Sequence, residues 1–222
     1  MLCWSCEKNV EAAVFCPACG ALLPFPPGER PDHFAVLGAE RTFTQDAPAL
    51  ERAYKEGARA VHPDKFARAD SRARRAAMQR TVALNEAWRT LRDPVARAEY
   101  LVRLGGIEVG AEDGTLRRTD AGREKIAVPA ALLAEMLDKR EALMDARLAD
   151  DEGAVAALLA DVQQKVTAAM DEVRTALDGT PPDIEAAARA LVAVRYYRRF
   201  VEAADEGGEA EGPHLGPGAE HG

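Results

Sequence analysis

The sequence lacks the features that would assign a protein to a membrane or to nucleic acid. No stretch approaches the roughly 20 consecutive apolar residues that a membrane-spanning helix needs, and residues 1–6 lack the basic start and apolar run of a signal peptide. A basic excess is also absent, since the formal net charge is −8, whereas phosphate binding needs a basic footprint. We therefore expect a cytoplasmic protein that binds neither membranes nor nucleic acid.

Aromatic residues are scarce at 5% of the chain, whereas hydrophobic residues make up 47%. Ala, Leu, Glu and Arg dominate, and this composition favours an all-α fold with a packed core. Charge is spread unevenly, because residues 1–104 carry 16 Lys/Arg against 13 Asp/Glu and residues 105–222 carry 13 against 24. The mildly basic first half is suited to an acidic protein partner.

Cysteine is absent after position 19. Its four copies form two pairs, Cys3-x2-Cys6 and Cys16-x2-Cys19, separated by nine residues. Two such pairs can bring four thiolates tetrahedrally onto one ion, so the spacing predicts a small zinc-ribbon-like segment over residues 1–23. About twenty residues cannot build a core unaided, and the metal would then fold this segment.

Four cysteines in this arrangement also allow another metal, disulfides or redox chemistry. Zinc is preferred, and iron is the alternative because the same thiolates can hold either metal. A reducing cytosol disfavours two disulfides, and a redox pair would need a βαβ context that is missing here. Four thiolates leave no open position for a catalytic water. Gly20 follows the second pair and can adopt a positive φ, whereas Glu7 occupies the corresponding position after the first pair.

The remaining chain divides by composition and periodicity. A proline-rich linker over 24–33 is followed by a helical domain at 34–106 and a polar, glycine-punctuated connection at 107–128 that we expect to be a mobile loop. Residues 129–204 predict a three-helix bundle with short turns. Residues 205–222 form an acidic, glycine-rich tail that we expect to be disordered.

A His-Pro-Asp tripeptide, His62-Pro63-Asp64, separates two helical patterns. Periodic apolar residues predict helices over about 47–61 and 72–92, which places the tripeptide in the loop of a helical hairpin. The helix before the tripeptide carries three basic residues at positions i, i+3 and i+7, which therefore share one of its faces: Arg52, Lys55 and Arg59. An acid/base role for His62 and Asp64 is disfavoured, because no nucleophile or second carboxylate has a recognisable place beside them.

The hairpin resembles a J domain. The resemblance rests on five segments: Phe34–Gly38, Tyr54, His62–Phe66, Asn85–Trp88 and Leu91–Pro94. Within that family, Asp93–Leu101 followed by Gly105 and Gly106 is similar to HscB, the iron–sulfur co-chaperone. The resemblance implies that His62, Pro63 and Asp64 trigger ATP hydrolysis in a DnaK/HscA-type chaperone. It also implies that this chaperone docks on Arg52, Lys55, Arg59 and Lys65.

The C-terminal bundle carries more apolar surface than its core needs. Leu132, Met136 and Leu143 form one stripe of the first helix, and Leu133 and Leu137 form a second; on the last helix Tyr196 shares a side with Val192 and Phe200. An apolar patch edged with carboxylates indicates a protein-binding site. The resemblance to HscB implies that this patch holds an IscU-type scaffold through Leu133, Ala134, Leu137, Asp138, Glu141 and Tyr196. Ala134 stands where the family has a larger Met.

These features predict a co-chaperone for iron–sulfur cluster assembly, not an enzyme. Two alternatives stay open: a J-domain protein with another client, and a four-cysteine iron protein for electron transfer. The function of the four-cysteine segment is also open, and could be formation of a weak homodimer, contact with the client or capping of the N-terminus.

Overall fold

The structure is a computed structural model that describes residues 1–11, 13–26, 28, 30–110, 116–118, 125–126 and 128–205. Seven α-helices dominate the described residues, so the predicted all-α class is confirmed, with one small sheet in addition. The predicted disordered tail lies outside the described residues from 206 onward. None of the described helices is both long enough and apolar enough to cross a bilayer.

The chain forms two compact units, Met1–Arg97 and Ala98–Gly222. The first unit contains the four cysteines and three helices, followed by the start of a fourth. The helices are α1 (His33–Leu37), α2 (Ala47–Val61), α3 (Ser71–Arg92) and α4 (Pro94–Leu104), with a 3-10 turn at Pro63–Phe66. The boundary between the two units falls within α4.

Aspartate side chains cap the N-termini of the helices that begin in the first unit. Asp32, Asp46 and Asp70 each accept a hydrogen bond from a backbone N–H in the first turn of α1, α2 and α3, respectively. Asp93 does the same for α4, where it accepts from the N–H of Ala96 at 2.8 Å. These bonds satisfy N–H groups that the helix itself leaves without partners. The helix starts are therefore set locally by the sequence.

The hairpin of α2 and α3 packs through small residues. The buried face of α3 includes Ala73, Ala76, Ala77 and Ala87, so neighbouring helices can approach closely. On α2, the position that a Cβ of Gly57 would occupy lies 3.0 Å from Leu84 Cδ2. A side chain at Gly57 would therefore press on Leu84 of α3, which would have to shift by a few tenths of an ångström.

The connection after α4 differs from its prediction as a loop. Three short strands, β1 (Ile107–Val109), β2 (Leu116–Arg118) and β3 (Lys125–Ile126), form an antiparallel sheet in the order β1-β2-β3. Ile107 and Leu116 are buried and anchor it. Strands of two or three residues are too short for alternation of apolar and polar residues to be recognised in a sequence.

The second unit contains the predicted three-helix bundle. Its helices are α5 (Ala130–Leu148), α6 (Glu152–Leu177) and α7 (Ile184–Asp205). Helix α7 contacts α5, α6 and β1, so it is buried on several sides. The expectation that Val192 and Phe200 share an exposed patch with Tyr196 is therefore wrong, because both side chains are buried and Tyr196 is half-buried.

Arg195 joins three elements of the second unit. Its guanidinium donates from Nε to Glu99 Oε1 at 2.8 Å and from Nη1 to the carbonyl oxygens of Val109 and Gly110. At the end of α4, Gly106 adopts a φ of 87°. The neighbouring Gly105 leaves room for Ile184, whose Cγ2 would lie 2.7 Å from a Cβ at this position.

Candidate functional sites

The His-Pro-Asp tripeptide forms a turn that organises itself. His62 Nδ1 accepts a hydrogen bond from the backbone N–H of Asp64 at 3.3 Å, and the His62 carbonyl accepts from the N–H of Lys65 at 3.0 Å. Pro63 opens the 3-10 turn and fixes its φ. The Asp64 side chain is 91% exposed. The turn therefore holds the backbone in place while it presents a carboxylate to solvent.

Aromatic stacking supports the hairpin behind this turn. The rings of Tyr54 on α2 and Trp88 on α3 stack with their centroids 5.1 Å apart and an interplanar angle of 7°. Tyr54 also donates from its hydroxyl to Asn85 Oδ1 at 3.0 Å. These contacts join residues that carry the resemblance to J domains, and they position α2 against α3.

The predicted docking residues all lie on the surface. Arg52, Lys55, Arg59 and Lys65 are exposed, and the first three share one face of α2. Lys55 Nζ is 2.6 Å from Glu51 Oε1. An exposed pair at i, i+4 contributes little to stability, so Lys55 can exchange this carboxylate for one on a partner at small cost.

The four cysteines converge on one point. Cys3 Sγ lies 3.7 Å from Cys19 Sγ, Cys6 Sγ lies 3.7 Å from Cys16 Sγ, and all four sulfur atoms are within 4.8 Å of one another. These distances exceed a disulfide bond of about 2.05 Å. They match the sulfur–sulfur edge of about 3.8 Å that a tetrahedron with Zn–S bonds of about 2.3 Å requires. The residues therefore fit a four-thiolate metal centre.

The two cysteine pairs of this centre have the same backbone conformation and the same backbone hydrogen bond. The N–H of Glu7 bonds to the carbonyl of Cys3 at 3.0 Å, and the N–H of Gly20 bonds to the carbonyl of Cys16 at 2.8 Å. Both residues have a positive φ, 58° for Glu7 and 74° for Gly20. The positive φ expected of Gly20 is present, and Glu7 adopts the same conformation although it carries a side chain.

The thiols of the first pair differ in acidity. A hydrogen bond from the backbone of Cys6 is the main cause that lowers the pKa of Cys3 to about 6. A backbone bond from Lys8 lowers the pKa of Cys6, but desolvation and the neighbouring thiols outweigh it and raise that pKa to about 11. A metal centre requires all four cysteines as thiolates. Four thiolates this close repel one another, so they cannot all be deprotonated without a cation between them.

Arg80 of α3 links the four-cysteine segment to the hairpin. Its Nε donates to the carbonyl of Leu23 at 2.7 Å, its Nη2 donates to the carbonyl of Ala13 at 2.9 Å, and its guanidinium lies 4.5 Å from the centre of the Phe25 ring. The side chain is buried, and desolvation lowers its pKa. No sequence pattern distinguishes Arg80 from the exposed arginines around it, so the sequence does not predict this contact.

The predicted scaffold-binding residues of α5 are on the surface. Leu132, Met136 and Leu143, which were not in the predicted set, face the core. The predicted residues of α5 are exposed: Leu133, Ala134, Leu137, Asp138 and Glu141. Tyr196 is the exception, since it lies half-buried on α7. Met144 and Leu148 are also exposed and extend the apolar surface of α5 beyond the residues singled out from the sequence.

A polar cluster positions α5 against its neighbours. Glu135 accepts from the Tyr197 hydroxyl at 2.9 Å and pairs with Lys165 Nζ at 2.8 Å, while Lys139 pairs with Asp161. Desolvation, followed by the bond to Glu135, raises the pKa of Tyr197 to about 12. Burial raises the pKa of Glu135, but the bonds from Lys165 and Tyr197 outweigh it and lower that pKa overall.

Two family models match this chain in succession. The model described as "DnaJ domain" matches residues 32–100, and the model described as "HSCB C-terminal oligomerisation domain" matches residues 128–205. Together they span the hairpin and the three-helix bundle.

Relatives match over most of their length. The chain is 36% identical over 167 residues to a "Co-chaperone protein HscB homolog" of Burkholderia multivorans, which covers 75% of this chain and 88% of the relative. A homologue of the same name from Paraburkholderia phymatum is 38% identical over 146 residues, covering 66% and 77%, respectively.

Solved structures match as well. The crystal structure of human co-chaperone protein HscB is 27% identical, with a TM-score of 0.71 over 92% of this chain and 97% of that one. The chaperone HscB from Vibrio cholerae is 25% identical, with a TM-score of 0.62 over 79% and 96%, respectively.

Proposed function

Because the chain belongs to the HscB family of co-chaperones, we propose that it works in iron–sulfur cluster assembly. It binds an IscU-type scaffold through α5 and delivers it to a DnaK/HscA-type chaperone in the cytoplasm. There it stimulates that chaperone's ATPase through the His-Pro-Asp turn. The observation that carries this proposal is the combination, in one chain, of a self-organised turn with an exposed Asp64 and a bundle helix with an exposed apolar face.

Docking on the chaperone begins with charge. Arg52, Lys55 and Arg59 attract an acidic surface and orient α2 on it, because opposite charges steer association over about a Debye length. The turn follows α2 directly, so the same docking brings Asp64 against the chaperone. Its carboxylate then favours the chaperone conformation that cleaves ATP. The bond that breaks belongs to the partner's nucleotide, and this chain supplies no group to the reacting atoms.

The scaffold binds by burying apolar surface. Leu133 and Leu137 supply this surface, and Asp138 and Glu141 line its edge and select a partner with basic side chains. Ala134 offers a smaller contact than the Met of the family, so the two leucines carry more of the binding. The cluster around Glu135 fixes the rotation of α5 and thereby keeps the leucines facing outward.

The four-cysteine centre holds zinc through Cys3, Cys6, Cys16 and Cys19. The ion supplies a structural cross-link and no open coordination position. The reducing cytoplasm keeps the four thiols available for it. Through the hydrogen bonds of Arg80, the folded segment stabilises α3 of the J domain.

Titration calorimetry with the purified scaffold tests the client half of this proposal. We expect Leu137→Ala to weaken binding by about 2 kcal/mol, which is roughly thirtyfold in affinity. Ala142→Ser, on the far side of α5, is the control and should bind normally. If the unmodified chain gives no heat of binding, or if Leu137→Ala binds with unchanged affinity, the proposed scaffold contact is rejected. The alternative of a J-domain protein with another client would then remain.

A further inference from the structure

A cavity lies within the first unit, between the four-cysteine segment, the linker that follows it and the hairpin of α2 and α3. Its volume is about 1020 Å³, at the upper end of the roughly 300–1,000 Å³ that is usual for small-molecule sites. Its walls are mostly apolar: Val14 and Phe15 come from the four-cysteine segment, Phe25 from the linker, and Ala60 and Leu84 from the hairpin. The cavity therefore has the size and the lining of a site for a small organic ligand.

Arg80 brings a buried positive charge to this cavity. Its side chain lines the cavity and is only 9% exposed. Its Nε and Nη2 atoms donate to the carbonyl oxygens of Leu23 and Ala13, whereas Nη1 makes no hydrogen bond to any residue that the structure describes. Carbonyl oxygens satisfy N–H groups but do not neutralise a charge, and a buried charge without a counter-ion is costly. An anion in the cavity would therefore be attracted to Arg80.

The other charged residues of the lining do not neutralise Arg80. Asp32 pairs with Arg41, and Arg30 and Glu56 are exposed to solvent. Among the described residues no carboxylate forms an ion pair with Arg80, and burial alone shifts its pKa. The buried part of the lining thus offers one positive charge among apolar side chains. This combination suits a ligand with a single negative charge and an apolar body.

We propose that this cavity binds a small amphipathic carboxylate, whose head pairs with Arg80 and whose apolar chain packs along the walls. The planar guanidinium matches a carboxylate in its own plane. The Phe25 ring lies against the face of the guanidinium, 4.5 Å from its centre, and leaves that plane open. A neutral or cationic ligand would leave the charge of Arg80 unpaired, and a dianion would carry a second charge that no buried cation meets.

This site is separate from the residues of the proposed function. None of the proposed chaperone-docking residues is among the described residues that line the cavity, and neither is any residue of α5. A ligand there would contact the four-cysteine segment and α2 together, and would therefore stabilise the packing of that segment on the hairpin. The proposal stands or fails independently of any scaffold or chaperone.

Equilibrium dialysis of the metal-loaded full chain against decanoate tests the proposal. We expect a dissociation constant of roughly 100 µM for decanoate. At the same free concentration, 1-decanol should bind at least tenfold more weakly, because it has no charge for Arg80, and decylamine should bind more weakly still. If decanoate does not bind up to about 1 mM, or if either analogue binds equally well, the proposal is overturned. These comparisons use the unmodified protein, so they do not depend on how well a variant folds.

A cavity-filling variant tests the location. Ala60→Phe extends a side chain from α2 into the cavity and keeps Arg80, so it should weaken decanoate binding at least tenfold. Ala47→Phe adds the same ring at an exposed position of α2 that does not line the cavity, and it should bind decanoate normally. Equal affinities of the two variants would overturn the assignment to this cavity.

Backbone amide shifts in an NMR titration locate the ligand without any substitution. An amphipathic probe could instead bind to the exposed apolar side chains of α5, and this measurement distinguishes the two surfaces. Decanoate should shift the amide signals of Ala35, Ala60 and Val61, which line the cavity, more than those of α5. Shifts confined to α5 would overturn the proposal.

Discussion

The Nε atom of Arg80 lies 2.7 Å from the carbonyl oxygen of Leu23. This bond ties the middle of α3 in the hairpin to the end of the four-cysteine segment, and both groups are buried. Together with the bond to Ala13, it makes the four-cysteine segment part of the packing of the J domain. Folding of the segment and stability of the hairpin should therefore be linked.

Substitution of this arginine should destabilise the first unit. Arg80→Met keeps the volume but leaves buried carbonyls of the four-cysteine segment without donors, which costs about 2–4 kcal/mol. Chemical denaturation of the metal-loaded protein measures the loss. Arg72→Met is the matched control, because Arg72 is exposed on the same helix and its guanidinium lies 3.5 Å from the Trp4 carbonyl oxygen, a long contact. Equal stability of the Arg80 and Arg72 variants would contradict the link.

A glycine in the first half of the metal centre should improve it. Glu7 has a φ of 58°, which costs an ordinary residue about 1–2 kcal/mol. Glycine would remove this cost, but the flexibility of glycine in the unfolded chain offsets part of the gain. Glu7→Gly should therefore raise metal affinity by about 1 kcal/mol, or roughly fivefold.

Competition with a chelator measures this affinity. Gly20→Ala provides the opposite case, since it forces a side chain into a φ of 74° and should weaken binding. The metal-loaded protein should be colourless, as zinc–thiolate centres are, and a coloured protein would instead support iron. Weaker binding by Glu7→Gly would show that Glu7 contributes something other than its backbone conformation.

The Tyr197–Glu135 hydrogen bond should make the folding stability of the bundle decline at alkaline pH. The pKa of Tyr197 is raised from 10.0 to about 12 in the folded protein. A raised folded pKa means that the stabilisation is complete below pH 10 and is lost as the pH rises toward 12. Tyr197→Phe should remove the part of the alkaline decline due to this hydroxyl, and should cost about 1 kcal/mol at neutral pH. A pH series of urea denaturation compares the two proteins, and identical alkaline slopes would exclude this role.

Docking on the chaperone should depend on salt through α2. Arg59→Ala should slow association with the chaperone several-fold at low ionic strength, and the difference should shrink as salt screens the charge. Stopped-flow or surface-based kinetics measure the rate. Arg89→Ala removes an exposed charge near the other end of α3 and serves as the control. If both variants bind alike at every salt concentration, the basic face of α2 does not steer docking.

Features set by local sequence were predictable, and those set by tertiary contacts were not. The His-Pro-Asp turn and the two cysteine pairs act over a few residues, so spacing alone indicated them. The burial of Arg80 depends on carbonyls more than fifty residues away. The burial of Val192 and Phe200 depends on how many elements pack around α7. Periodicity identifies an apolar side of a helix but not whether another element covers it.

The exposed apolar residues of α5 illustrate the same limit. Leu133 and Leu137 could be identified from the sequence by resemblance to the scaffold-binding run. Met144 and Leu148 lie outside that run, and their exposure became evident only once the bundle fixed the rotation of α5. The strands β1 to β3 were missed for a different reason, since each is too short to carry a periodic signal.

The central claim is that the turn at Asp64 activates the ATPase of a chaperone. Single-turnover ATP hydrolysis by a DnaK/HscA-type chaperone, measured with and without the scaffold, tests it most directly. Asp64→Asn removes only the charge of a carboxylate that is 91% exposed, so the fold and the affinity for the scaffold should be unchanged. The account predicts that Asp64→Asn abolishes stimulation while Glu40→Gln, another exposed carboxylate of the first unit, retains it. Full stimulation by Asp64→Asn would contradict the account.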